Sequence, residues 1–284
     1  MTSQNVRIRI HDAMPQAPSI DSFIDVHSGD KHIELCGKLA IVRSVLAAES
    51  RSNKLLIKSD RRAAQLNYSE LETTWFNRFW ILLTQGCPLD QFADRLASFE
   101  MVVFNYDRCI EHFLYYSLQN YYGISPEQAA DILKSLKIYH PYGMVGHLPW
   151  QGSSPKIGFG DEPNVQPLLE LSSEIRTFTE ETDPASEEIT KIHKAVLEAQ
   201  MIVFLGFAFH PDNMALITPQ QPDDSNTTID YYATAHGMSN SNQQQIGWYL
   251  RKLRPADARD NNYNIAPLTC VDFFDEYSKS LEFS

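Results

Sequence analysis

Four places in this sequence end an apolar run on side chains that can hold amides, position water or move protons. In "MVVFNYDR", residues 101–104 run straight into Asn105, Tyr106, Asp107 and Arg108. In "KIYHPYGMVG", His140 closes the run, Pro141 stops it, and Gly143 and Gly146 shape a turn. In "MIVFLGFAFHPDN", Gly206 and Phe207 are followed by His210, Asp212 and Asn213, and in "YYATAHG" the run leads to Thr234, His236 and Gly237. An amide holds water or a hydroxyl, a carboxylate accepts a carboxamide N–H, and an imidazole accepts a proton near neutral pH. Each feature also has a plain structural reading. Asn105 or Asp107 would cap the helix that starts near 108, Asp212 or Asn213 the one after it, and a lone His at a strand end is commonly a hydrogen-bonded core residue.

The elements that must carry these residues are legible as pattern. Short apolar runs at 5–10, 54–57, 101–104, 136–140, 201–207, 231–236 and 268–274 show little alternation, as expected of strands buried on both faces. Helical spacing occupies 33–50, 68–86, 125–136, 183–200 and 240–253. Ser69 reads as the cap of the second, which closes at Gly86 with Pro88 beyond, and Ser125 with Pro126 opens the third. Segments 149–165 and 219–228 read as loops. This alternation predicts one α/β domain over 1–284, three-layered and Rossmann-like, with a mostly parallel sheet, helical insertions and a strand/helix extension over 255–284. In such sheets ligands bind beyond the carboxyl ends of the strands. Pro141 would hold His140 extended at that edge.

Composition narrows the function. The net charge of −12 argues against a duplex nucleic-acid surface, and the basic cluster of Lys58, Arg61 and Arg62 reads as solvated. No apolar run approaches the roughly 18 residues of a membrane span, and the N-terminus lacks a signal-peptide centre, so a soluble cytoplasmic protein is expected. Cys36, Cys87, Cys109 and Cys270 show no CxxC spacing, so neither a zinc module nor a disulfide framework is expected.

Taken in order, Asn-Tyr-Asp-Arg, His-Pro-x-Gly, "FLGFAFHPDN" and "ATAHGMS" resemble the bacterial sirtuin-like family, the silent-information-regulator-type domains of many antiphage defence systems, over roughly 10–250. The resemblance implies an NAD-binding Rossmann-like domain. It implies Asn105 and Asp107 as the Asn-x-Asp motif on the nicotinamide side, and His140 as the active-site His. It implies Gly206 and its neighbour Phe207 on the phosphate and adenosine side, with Asn213, Thr234 and Gly237 as further cofactor-binding residues. Because 141–200 holds no cysteine, where deacylase members carry a zinc module, the resemblance favours NAD⁺ hydrolysis at the nicotinamide–ribose bond over protein deacylation. NAD⁺ would then be the substrate, with no metal. Further partners, a second copy or a defence-system protein, are left open.

One motif departs. The family's first strand leads into a Gly-Ala-Gly loop that lets backbone amides approach the pyrophosphate. Here "VRIRIHDAMPQAPS" puts Ala13 and Pro15 in that place, has no glycine before Gly29, and carries Arg7 and Arg9 in the expected strand. His11 and Asp12 receive no role. Either the reading frame continues upstream of Met1, or the loop over 9–15 has been lost. In the second case a non-catalytic NAD- or ADP-ribose-binding or assembly domain is the alternative.

Overall fold

The computed structural model describes residues 3–52, 54–56, 66–154, 156–177, 186–220, 228–254 and 261–283. Along the chain come α1 (Ser3–Ala13), a short 3₁₀ turn (Met14–Gln16), α2 (Ile20–Val26), α3 (Lys31–Arg51), α4 (Tyr68–Leu71), α5 (Trp75–Thr84), α6 (Leu89–Ala97) and β1 (Glu100–Val102). Next are α7 (Cys109–Tyr122), α8 (Pro126–Leu133), β2 (Lys137–Tyr139), α9 (Val165–Glu174), α10 (Glu187–Glu198) and β3 (Met201–Phe204). The chain ends with α11 (Pro211–Ile217), β4 (Asp230–Thr234), α12 (Asn240–Leu253), β5 (Asn262–Ala266) and α13 (Cys270–Tyr277). The protein is mixed α/β. It divides into two compact units, one of Met1–Leu71 with Leu89–Glu181, the other of Glu72–Pro88 with Thr182–Ser284.

In the first unit β1 and β2 pair in parallel, with Met101 opposite Ile138, and α7 and α8 form the crossover between them. Ser125 caps α8 as expected and completes a capping box, receiving the Gln128 amide while Gln128 receives the Ser125 amide. One cluster of this unit's core joins α3, α9 and the turn after β2, through Ile41, Val42, Leu46, Val145, Leu171 and Ile175. Gly143 lies in that turn at φ +78°, and a Cβ on it would stand 2.0 Å from the Glu174 carbonyl oxygen, so only glycine fits.

The segment 5–10, expected as a strand, is helical. Its alternation of Val6, Ile8 and Ile10 with Arg7 and Arg9 imitates a strand, yet only the four-apart pair Val6 and Ile10 is buried, while Ile8 is 54% exposed. Four-residue spacing is the helical repeat. Val6 and Ile10 pack with Phe23 and Ile33 of α2 and α3. The strand expected over 54–57 is a turn as far as Leu56, with the Leu55 and Leu56 amides on the Ser52 carbonyl; residue 57 and the basic cluster Lys58, Arg61 and Arg62 lie outside the described residues.

In the second unit β3, β4 and β5 form a parallel sheet in chain order. The third strand is not 268–274 but Asn262–Ala266, whose polar letters hide it, and 270–277 is α13. Thr269 caps that helix through the Asp272 amide, and Phe273 and Phe274 are buried. Phe274 meets Trp75 and Phe79 of α5. The expected helix over 68–86 is broken at 72–74, and Ser69 lies inside α4 rather than capping it. The 255–284 extension therefore does hold a strand and a helix, with 255–260 outside the described residues, as is most of the 219–228 loop. Among the described residues, no helix is long and apolar enough to cross a membrane.

Candidate functional site

The first unit brings Asn105, Asp107 and His140 together beyond the carboxyl ends of its two parallel strands. The chain leaves β1 after Val102, passes through 103–108 and enters α7 at Cys109. The N-cap position of α7 is Arg108, without a side-chain cap bond, so neither Asn105 nor Asp107 is the cap; Asp107 Oδ1 accepts the Cys109 amide at 3.1 Å from one residue earlier, and Asn105 is exposed. The Tyr106 carbonyl receives the Val145 amide, tying this loop to the turn that follows His140.

His140 is 6% exposed. Its Nε2–H donates to Glu111 Oε1 at 2.7 Å, and its Nδ1 stands 3.4 Å from the Asn105 carbonyl oxygen. Burial alone would push its pKa down; the hydrogen bond and charge of Glu111, aided by the Asn105 carbonyl and Asp107, outweigh it and leave the pKa raised. Glu111 is itself buried, and its Oε2 has no hydrogen-bond partner among the described residues. The group nearest in character to a catalytic dyad is thus His140 with Glu111. Sequence reading passed over Glu111 because a Glu at the third position of a helix ordinarily serves the cap or the dipole.

Arg108 turns away from this pair. It is fully buried and its guanidinium meets Glu49 of α3, with Nη2 2.5 Å from Oε2 and Nε 3.2 Å from Oε1. It also donates to the carbonyls of Ile157 and Gly158, while Glu49 receives the Gly160 amide. This knot fixes the 157–160 loop against α3 and α7. Burial, with Asp107 beside it, pushes the Cys109 thiol up, so it stays protonated and is no nucleophile.

His112, one residue past Glu111, is a structural group. It stacks on Phe159 at 4.0 Å between ring centroids, and its Nε2–H donates to the Leu55 carbonyl at 2.9 Å. Burial lowers its pKa to about 4, against the Leu55 hydrogen bond and with Arg108 adding to the drop. The unfolded chain therefore binds a proton between about pH 6.5 and 4 that the folded chain refuses, and stability falls as pH falls through that window. The loss expected from this one group approaches about 3 kcal/mol at pH 4. Urea melts from pH 7 to 4 check it: His112→Phe flattens the slope in that window while lowering stability at pH 7, because the Leu55 carbonyl loses its donor.

Ala13 and Pro15 lie in the same unit, at the end of α1 and in the 3₁₀ turn after it. Ala13 packs against the α1–α2–α3 cluster and Pro15 is exposed. The strand expected to precede them is a helix, so neither sits on a strand-to-helix loop.

The other expected residues belong to the second unit. Gly206, at φ +60° just past β3, donates its amide to Thr234 Oγ1 at 2.8 Å, and Thr234 closes β4. Cys270 at the start of α13 borders this pair, 3.7 Å from where a Cβ on Gly206 would stand. Phe207 packs on Phe204 and Phe209, and Phe209 is held at φ +54°, where side chains crowd the backbone. Asn213 lies within α11, whose cap is His210, and Gly237, at φ +72°, is exposed before α12. The structure therefore joins Gly206 to Thr234 and leaves Asn213 and Gly237 on separate elements. Among the described residues, no group of three or more His, Cys, Asp or Glu is placed to hold a metal ion.

No family model, curated protein or solved structure matches this chain.

Proposed function

We propose that this chain is a sirtuin-like NAD⁺ hydrolase that cleaves the nicotinamide–ribose bond, acting as an effector of antiphage defence on a Rossmann-like fold. The observation that carries the reading is the convergence of Asn105, Asp107 and His140 at the carboxyl ends of one parallel strand pair, with a buried carboxylate on the imidazole. The order of the four strand-end motifs supports the family, and parallel-sheet carboxyl ends are where such ligands bind.

The chemistry asks little of a nucleophile. Nicotinamide leaves with the C–N bonding electrons, and an oxocarbenium-like centre remains on the ribose. Asn105, exposed beside the dyad, orients a water, and Asp107 can accept an N–H of the carboxamide. As the water oxygen bonds to the ribose carbon, its proton passes to His140 Nδ1 and the Glu111 carboxylate balances the imidazolium. The products are nicotinamide, ADP-ribose and the proton that His140 later releases.

Incubation with NAD⁺ is expected to yield nicotinamide and ADP-ribose in equal amounts by chromatography. The helix over 3–13 favours one other reading, a domain that binds NAD⁺ or ADP-ribose without turnover, because the described segment leading to the place of the phosphate loop is helical. Calorimetric binding of NAD⁺ with no nicotinamide released selects that reading; an acyl-lysine peptide deacylated in the presence of NAD⁺ selects the deacylase branch.

A further inference from the structure

Glu111 belongs to none of the sequence motifs, yet its carboxylate stands 2.7 Å from His140 Nε2. We infer that Glu111 is a positioning residue for His140: its carboxylate fixes the ring through Nε2, leaves Nδ1 as the working nitrogen, and supplies the counter-charge to the imidazolium. This inference rests on the hydrolase reading for its catalytic consequence, but its geometry stands apart from it.

Three features of the structure carry the assignment. First, both side chains are buried, at 4% and 5% exposure for His140 and Glu111, and each offsets part of the other's lost hydration. Second, a carboxylate oxygen can only accept, so the 2.7 Å contact places a proton on Nε2 and settles which nitrogen is left to exchange protons. Nδ1 stands 3.4 Å from the Asn105 carbonyl, a longer contact than that of Nε2 to Glu111. Third, Glu111 Oε2 lacks a donor among the described residues. A buried acceptor left unpaired costs stability.

Glu111 on α7 and Asp107 before it favour the imidazolium. His147, on the loop beyond β2, feels the charges of Glu174, His140, Arg108 and Glu111, and its own pKa is lowered chiefly by burial. Glu111 combines direct contact with opposite charge.

The test is Glu111→Gln, read by NMR of the His140 ring as pH is varied and by the kinetics of nicotinamide release. In the wild-type protein His140 is expected to titrate above about pH 6.5. In Glu111→Gln the midpoint is expected to drop by about one pH unit or more, since burial is left without its counter-charge. For hydrolysis, kcat is expected to fall about 10²-fold with KM for NAD⁺ little changed, and the pH limb of kcat to move with the NMR midpoint. A wild-type His140 that titrates at or below its ordinary value overturns the inference without any variant, so failure of Glu111→Gln to fold does not protect it. An unmoved midpoint in the folded variant overturns it as well. If the midpoint moves and no nicotinamide is released by either protein, the positioning role stands and the hydrolase reading falls.

Discussion

Arg108→Met is expected to destabilise the Met1–Leu71 and Leu89–Glu181 unit by about 3–5 kcal/mol. The reason is the residue left behind. Glu49 is buried with its side chain at 1% exposure, and without the guanidinium its carboxylate keeps only the amides of Arg108 and Gly160. The Ile157 and Gly158 carbonyls lose their donors in the same step. An ion pair of this kind adds little over an apolar pair of equal volume, because both ions must give up water; its loss on one side is what costs. The double variant Glu49→Leu with Arg108→Met is accordingly expected to recover most of the deficit. Hydrogen exchange over α7 and residues 157–160, with urea midpoints at unchanged slope, reads the effect in this unit. Equal destabilisation in the single and double variants would show that packing of the Arg108 stem, not its charge, matters.

That knot also shows where sequence reading works and where it stops. The motif "FNYDR" could be placed at a strand end from its apolar run, and His140 at another from the proline after it, because local patterns dictate local structure. What a motif cannot show is which of its polar residues faces a ligand. Asp107 accepts the Cys109 amide, Arg108 is spent on Glu49, nearly sixty residues earlier, and only Asn105 stays exposed. Glu49 and Glu111 carried no local signal, since each lies on a helix face whose partner is a distant element. Two of the misread strands failed for related reasons. In 5–10 the period-two letters were outvoted by a four-apart pair that finds a core, and in 268–274 Thr269 supplied a cap that the aromatic run concealed. Tertiary burial decides such short ambiguous runs, and it is absent from the sequence window.

On the hydrolase reading, His140→Gln is expected to lower nicotinamide release by about 10²–10⁴-fold. The choice of substitution matters. His140→Ala would strand Glu111 as a buried, unpaired carboxylate, and a loss of activity could then be a loss of fold. The amide of Gln reaches the position of Nε2 and can still donate to Glu111 Oε1, but it offers no nitrogen that titrates. Folding is thereby separated from proton transfer, and far-ultraviolet circular dichroism with the urea midpoint serves as the control. The stability of the variant carries its own signature. His140, with its raised pKa, stabilises the fold fully below the unfolded value near pH 6.5, and that contribution is lost as pH rises through the folded value. The wild-type protein should therefore exceed the Gln variant in stability by a margin that shrinks from pH 6 towards higher pH, the reverse of the His112 effect. Release that continues at the wild-type rate in a folded His140→Gln protein would take His140 out of the reaction and leave Asn105 and Asp107 to orient a water that needs no base.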